Sequence, residues 1–242
     1  MKVFAHRGSS GLWPENTMLS FSKALEEGAD GIENDVHLSK DGEVMIIHDE
    51  SLKRTAGVDR CVYEMTRSEL EATSAGRTQD DRCGFTPIPS LDEYLTMMEA
   101  HRDKVTNIEL KTAPVYYPGI EEKVMDLVAR HGLEHNVVYS SFNWLSVVKM
   151  KRMDPTCRIG LLFSSMPLYG LGAIMRELDV DFYHPDIRDL DEAMMHSLHD
   201  NGRGVNVWTV NEHEDIRKAI ALGVDGIITN WPGRVLDALG RC

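Results

Sequence analysis

Short apolar runs alternate with amphipathic stretches from one end of the chain to the other. The runs are Lys2–His6, Gly31–Leu38, Val44–His48, Val105–Leu110, Val137–Ser140, Arg158–Phe163, Asp181–His184, Val205–Val210 and Gly226–Thr229. Between them, apolar residues recur at helical spacing. In Pro14–Glu27, Met18, Leu19, Phe21, Ala24 and Leu25 share one face, and Gly28 follows as a stop. Strands that alternate with helices form a parallel sheet. Val44–His48 reads as a continuation of the second strand beyond the turn Lys40-Asp41-Gly42. On that reading there are eight strand–helix units, which predicts a closed α/β (β/α)8 TIM barrel. An open doubly wound sheet is the rival. No Gly-x-Gly-x-x-Gly follows the first strand, which counts against a dinucleotide fold.

Residues 50–88 break the rhythm. They are polar and end in Pro87-Ile88-Pro89, so they read as a small insertion after the second strand, with Ser90 as N-cap of a helix over Leu91–His101. Further helices are expected over Gly119–His131, Trp144–Arg152, Leu171–Leu178, Leu190–His199, Asp215–Ala221 and Gly233–Leu239. No linker is visible, so residues 1–242 are expected to form one domain.

The chain has 26 basic and 39 acidic residues among 242, a net charge of −13. Such a surface repels nucleic-acid phosphates, and any anionic substrate must be met by local positive charge. Cys61, Cys83, Cys157 and Cys242 form no Cys-x-x-Cys pair, so reduced thiols are expected, with a Cys61–Cys83 bridge as the alternative. No run approaches the ~20 apolar residues of a membrane span. The N-terminus has no hydrophobic leader segment. The expectation is a cytoplasmic protein without stable membrane insertion.

In a β/α barrel, chemistry gathers at the C-terminal ends of the strands. Strand one ends in His6-Arg7-Gly8, strand two carries Glu33, Asp35 and, past the turn, His48-Asp49, and the next ends in Glu109-Leu110-Lys111. Glu33 and Asp35 are two apart and point to the same side. With Glu109 they would repel one another unless a cation lay between them, and an all-oxygen set suits Mg²⁺ or Ca²⁺. His6 and His48 can exchange protons near neutral pH, or bind a softer metal. His37 is in phase with Glu33 and Asp35 and is a candidate for the inner face. Arg7 and Lys111 supply charge for a phosphate, or pair with the carboxylates. Pro14 suits a first helical turn, but capping does not account for both Glu15 and Asn16, which could reach back across the rim. Phe142 and Trp208 are either core or pocket wall. Met166–Leu171, with Phe163, is an apolar loop.

Taken together, His6-Arg7-Gly8, Pro14-Glu15-Asn16-Thr17, Gly28-Ala29-Asp30, Glu33-x-Asp35-Val36, Lys40-Asp41-Gly42 and His48-Asp49 resemble the glycerophosphodiester phosphodiesterase family. Ile88-Pro89-Ser90-Leu91, Asn107–Lys111, Ser140-Ser141-Phe142 and Trp208–Asn211 follow in that family's order. The resemblance covers nearly the whole chain. It implies a β/α barrel and hydrolysis of a small glycerophosphodiester to an alcohol and sn-glycerol 3-phosphate. It implies Glu33, Asp35 and Glu109 as ligands of a divalent cation, Mg²⁺ or Ca²⁺. It makes His6 and His48 the general acid and base, with Arg7 and Lys111 on the phosphate. Glu15 would support that arrangement, and Phe142 and Trp208 would contact glycerol or the alcohol. The glycerol hydroxyl next to the phosphate would attack first, giving a cyclic phosphate that water opens. One departure is Thr229-Asn230-Trp231-Pro232, where members of the family often carry Asp. This exchange removes a charge and is expected to alter the rim rather than the chemistry.

The alternative substrates are a lysophospholipid and a glycerophosphoinositol headgroup. A silent binding barrel is a different class, and the presence of both histidines and all three carboxylates argues against it. The outer helices leave a homodimer open.

Overall fold

The structure is a computed structural model describing residues 1–78 and 83–241. The chain runs β1 (Lys2–His6), α1 (Met18–Glu26), β2 (Gly31–Leu38), β3 (Val44–Ile46), α2 (Arg67–Glu71), α3 (Leu91–Met98), β4 (Val105–Leu110), α4 (Ile120–Arg130), β5 (Val137–Ser141) and α5 (Trp144–Met153). It continues through β6 (Arg158–Phe163), α6 (Leu171–Glu177), β7 (Phe182–Pro185), α7 (Glu192–Asp200), β8 (Gly204–Val207), α8 (His213–Leu222), β9 (Gly226–Thr229) and α9 (Pro232–Ala238). β1, β2 and β4 to β9 pair in parallel, and β1 bonds to both β2 and β9, which closes the ring as a TIM barrel.

β3 corrects one expectation. It is not a continuation of the second strand but the return arm of a hairpin, antiparallel to β2 with Val36 opposite Ile46 and Leu38 opposite Val44. A turn of a few residues can only reverse the chain; a parallel neighbour needs a crossover of a dozen residues or more. The strand ends at Ile46, and the Ile47 N–H bonds to the Asp35 carbonyl. His48 therefore reaches the rim from outside the barrel wall.

The first helix begins later than its pattern suggests. Thr17 caps α1 by accepting from the Ser20 N–H, and the Ser20 hydroxyl accepts from the Thr17 N–H. Asn16 has a φ of 55°, so Pro14–Asn16 form a turn and not a first helical turn. Gly8 has a φ of 81°, and a Cβ there would stand 2.4 Å from Ser20 Oγ, so only glycine lets α1 approach β1 this closely. Ser90 caps α3 as expected. The expected strand Val205–Val210 is shorter: β8 ends at Val207, and Trp208 adds only an isolated parallel bridge to Asp186.

Every residue of β2 and β4 is buried. One set of strand side chains, among them Ile32, Val36, Ile108 and Tyr139, packs in one core with helix residues such as Phe21, Leu95, Val124 and Met150. A second cluster, Phe4, Val105, Val138 and Ile228, has Phe182 and Trp208 against it. The insertion has a cluster of its own, built from Met45, Ile47, Leu52, Val62, Met65, Leu70, Ala75 and Ile88. Part of the expected insertion at 50–88 (residues 79–82) and the cysteine at 242 lie outside the described residues. Cys61, Cys83 and Cys157 are free thiols, so the alternative of a Cys61–Cys83 bridge is not realised. Among the described residues, no helix is long and apolar enough to cross a membrane.

Candidate active site

Register brings the carboxylates together. Asp35 on β2 stands opposite Glu109 on β4, and Glu33 is two residues earlier on the same strand. One oxygen from each lies within 4.8 Å of the others, and the three side chains are buried. Burial, then the neighbouring charges of Asp35 and Glu109, pushes Glu33 well above the usual carboxylate range. Burial also raises Glu109, against the pull of Lys111. Burial would raise Asp35 too, but Arg7 and Lys111 override it and hold that carboxyl far down.

Arg7 follows the last residue of β1. Its N–H bonds to the carbonyl and to Oε2 of Glu33, at 2.9 and 3.0 Å. Its Nε is 3.3 Å from Asp35 Oδ2, and its Nη1 donates to Glu15 Oε1 at 2.9 Å. Asn16 does reach back across the rim, donating to Asp35 Oδ2 at 2.8 Å. The other Asp35 oxygen, Oδ1, is buried without a hydrogen bond. Lys111 Nζ donates to Glu109 Oε1 at 2.7 Å and lies 3.6 Å from Asp35 Oδ1.

The two imidazoles are held alike. His6 donates from Nδ1 to Asn230 Oδ1 at 2.6 Å, because an amide oxygen can only accept. His48 Nδ1 bonds to Asp49 Oδ1 at 2.6 Å, and its Nε2 accepts from Lys111 Nζ at 3.1 Å. Each ring is thus anchored through Nδ1, and on His48 the remaining nitrogen is taken by the Lys111 ammonium. His6 Nε2 lies 3.9 Å from Glu33 Oε2. Burial, with help from Arg7, pushes His6 down to about 3.

One cavity is lined by His6, Arg7, Glu33, His48 and Glu109 together with the apolar side chains of Phe142, Leu162, Trp208 and Ile228. The Phe142 and Trp208 rings meet edge to face with centroids 5.4 Å apart. The Trp208 indole N–H is anchored on the His184 carbonyl at 2.7 Å. Lys111 adjoins a second recess that shares His48, Glu109 and Phe142. Glu15 does not line the cavity; it holds Arg7 from behind.

Sequence reasoning missed Arg54, which donates to both Glu15 and Asp49. It missed the contact of Asn230 with His6 and so placed the change at that position away from the chemistry. It passed over Asn107, which lines the cavity with a buried Oδ1 that has no hydrogen bond. His37 does turn toward the site, but through the backbone of His48: its Nε2 lies 3.0 Å from that carbonyl.

The sequence model of the glycerophosphoryl diester phosphodiesterase family matches residues 6–234. A glycerophosphodiester phosphodiesterase of Bacillus altitudinis is 36% identical over 97% of this chain and 96% of its own. One from Caldanaerobacter subterraneus is 37% identical over 99% and 98%. The structure of an Oleispira antarctica phosphodiesterase in complex with the product sn-glycerol-3-phosphate superimposes with a TM-score of 0.88 at 28% identity, covering 99% of this chain and 97% of that one. The fold, the rim and these full-length matches agree that the chain belongs to the glycerophosphodiester phosphodiesterase family.

Proposed function

We propose that this protein hydrolyses a glycerophosphodiester to an alcohol and sn-glycerol 3-phosphate, with Mg²⁺ or Ca²⁺ at Glu33, Asp35 and Glu109. The observation that carries this reading is the cluster of three buried carboxylates with Arg7 and Lys111 against them, beside a cavity that His6, Arg7, Glu33, His48 and Glu109 line. The residues fit a hard cation. The donors are all oxygen, burial and then the crowded charges raise Glu33 and Glu109, and Asp35 Oδ1 is buried without a hydrogen bond. When bound, the cation would act as a Lewis acid on phosphoryl oxygen and make a nearby hydroxyl more acidic.

Arg7 and Lys111 place two positive charges beside the cavity for the phosphate. Phe142 and Trp208 wall the glycerol on its apolar side. Of His6 and His48, one takes the proton of the attacking glycerol hydroxyl and the other gives one to the leaving alkoxide. The two exchange roles when water opens the cyclic phosphate. The bonds from Nδ1 to Asn230 and Asp49 fix the ring orientations through both steps. The product bound in the Oleispira relative supports this choice of substrate.

The test is release of glycerol 3-phosphate from glycerophosphocholine and glycerophosphoethanolamine, with EDTA and with Mg²⁺, Ca²⁺ or Mn²⁺. Release that needs metal and is lost in Glu33→Ala and His6→Ala supports the reading. A folded protein that releases none with any metal overturns it. Lysophosphatidylcholine is the next substrate to try in that event.

A further inference from the structure

Arg54 belongs to the segment after β3, and its side chain is half exposed. It makes four short bonds to two carboxylates. Nε and Nη2 reach Asp49 at 2.7 and 3.1 Å, and Nη1 and Nη2 reach Glu15, both at 2.7 Å. Each carboxylate has a second duty at the site. Asp49 Oδ1 accepts from His48 Nδ1 at 2.6 Å, and Glu15 Oε1 accepts from Arg7 Nη1 at 2.9 Å. The line His48–Asp49–Arg54–Glu15–Arg7 thus joins a proton-handling ring to a phosphate-facing guanidinium.

We propose that Arg54 is a positioning residue that fixes His48 and Arg7 relative to each other. This rests on the reading above, in which both serve one phosphodiester. His48 and Arg7 come from different elements: one follows β3 outside the barrel wall, the other follows β1. No backbone pairing joins β3 to β1. A carboxylate held by one partner can swing toward solvent. Glu15 and Asp49, each also held by the planar fork of Arg54, cannot swing independently. Misplacement of a reacting group by about 1 Å can cost on the order of 10² in rate. Ordinary surface pairs in the same segment, such as Arg60 with Glu69 at 3.0 Å, touch nothing at the site and serve as the control.

The experiment measures kcat and KM for glycerophosphocholine with the full-length, metal-loaded enzyme. The variants are Arg54→Gln, Arg54→Lys, Glu15→Gln, Asp49→Asn, the Glu15→Gln/Asp49→Asn pair, and those two single changes and their pair on Arg54→Gln. Arg54→Gln is expected to lower kcat/KM by about 10- to 100-fold, with partial recovery in added guanidinium. Arg54→Lys, which keeps the charge but not the fork, is expected to recover less than half of the loss at an unchanged melting temperature. Arg60→Gln is expected to leave activity as it was.

The decisive reading is the coupling of Glu15 with Asp49, which do not touch. Their losses should depart from a simple product with Arg54 present and multiply independently without it. Unchanged kcat/KM in Arg54→Gln, or the same coupling in both backgrounds, overturns the proposal. If Arg54→Gln does not fold, Arg54→Lys carries the test alone: parent-like kcat/KM overturns it. If the parent enzyme cleaves nothing, the functional reading fails by itself. The positioning role is then read from binding of inorganic phosphate by calorimetry, weaker in Arg54→Gln if the proposal holds and equal to the parent if it does not.

Discussion

The imidazole of His37 donates from Nε2 to the backbone carbonyl of His48 across 3.0 Å, while its Nδ1 accepts from the Tyr117 hydroxyl at 2.9 Å. Burial pushes His37 down to about 4, so the ring is neutral and its one N–H is committed. It sits at the end of β2 that carries the carboxylates and holds the backbone of His48, one of the two proposed acid–base groups.

His37→Phe should therefore lower kcat by about 10- to 100-fold with little change in KM. His37→Gln, which can still donate, should recover part of it. Steady-state kinetics on glycerophosphocholine decide this. Equal kcat in His37→Phe and the parent would show that His48 needs no such support.

Glu33→Gln should have opposite effects with and without metal. Three crowded carboxylates destabilise the metal-free protein. Because the folded state holds the Glu33 carboxyl well above its ordinary range, that penalty grows as pH rises. Near pH 8 the metal-free variant should melt above the metal-free parent. Added Mg²⁺ or Ca²⁺ should stabilise the parent by about 2.7 kcal/mol at a hundred times its Kd, and the variant far less. Calorimetric melts give both numbers, and an equal metal response in the two would remove Glu33 from the cation site.

His184 should make the fold acid-sensitive. It is buried inside the barrel, where burial pushes it down to about 3. The unfolded chain takes up this proton below about pH 6.5, the folded one only near 3, so stability falls as pH drops through that window. Between about pH 7.5 and about pH 5 the loss is about 2 kcal/mol. His6 and His37 act in the same direction. His184→Gln should flatten the drop in melting temperature over this range; a parallel drop in parent and variant would assign it elsewhere.

Gly160 makes room for that ring. A Cβ at this position would stand 2.6 Å from His184 Nε2. Gly160→Ala should cost about 1–3 kcal/mol, and His184→Ala in the same chain should recover part of it. Denaturant melts of the single and double variants measure this. Purely additive losses would show that the two positions do not compete for space.

What the sequence discloses here is what lies close along the chain. Glu33 and Asp35 share a side because a strand repeats every two residues, and Asp49 follows His48 directly. Ser90 announces a helix start, but Pro14 misleads: Asn16 takes a left-handed backbone, and the helix is capped only at Thr17. Contacts made by barrel closure leave no local mark. Asn230 meets His6 from 224 residues away, and Arg54 meets Glu15 from 39. The direction of β3 was legible after all: Lys40-Asp41-Gly42 is too short for anything but a reversal. His184 reads as one more histidine at a strand end, and only the close approach of Gly160 shows that it fills the barrel.

The hairpin return of β3 has a consequence for how such an enzyme can change. The Ile46 N–H bonds to the Pro89 carbonyl at 2.9 Å, and Met45 bridges Ser90. The chain therefore departs from the barrel wall and rejoins it at adjacent points. Everything in between is a cassette with stapled ends, and its first residues, Asp49 and Glu50, line the recess next to Phe142. Its outline can be rewritten while the eight-stranded wall stays put, as long as the stretch through Arg54 is kept. Changes there would reshape that recess while Glu33, Asp35 and Glu109, which stand on β2 and β4, keep their places.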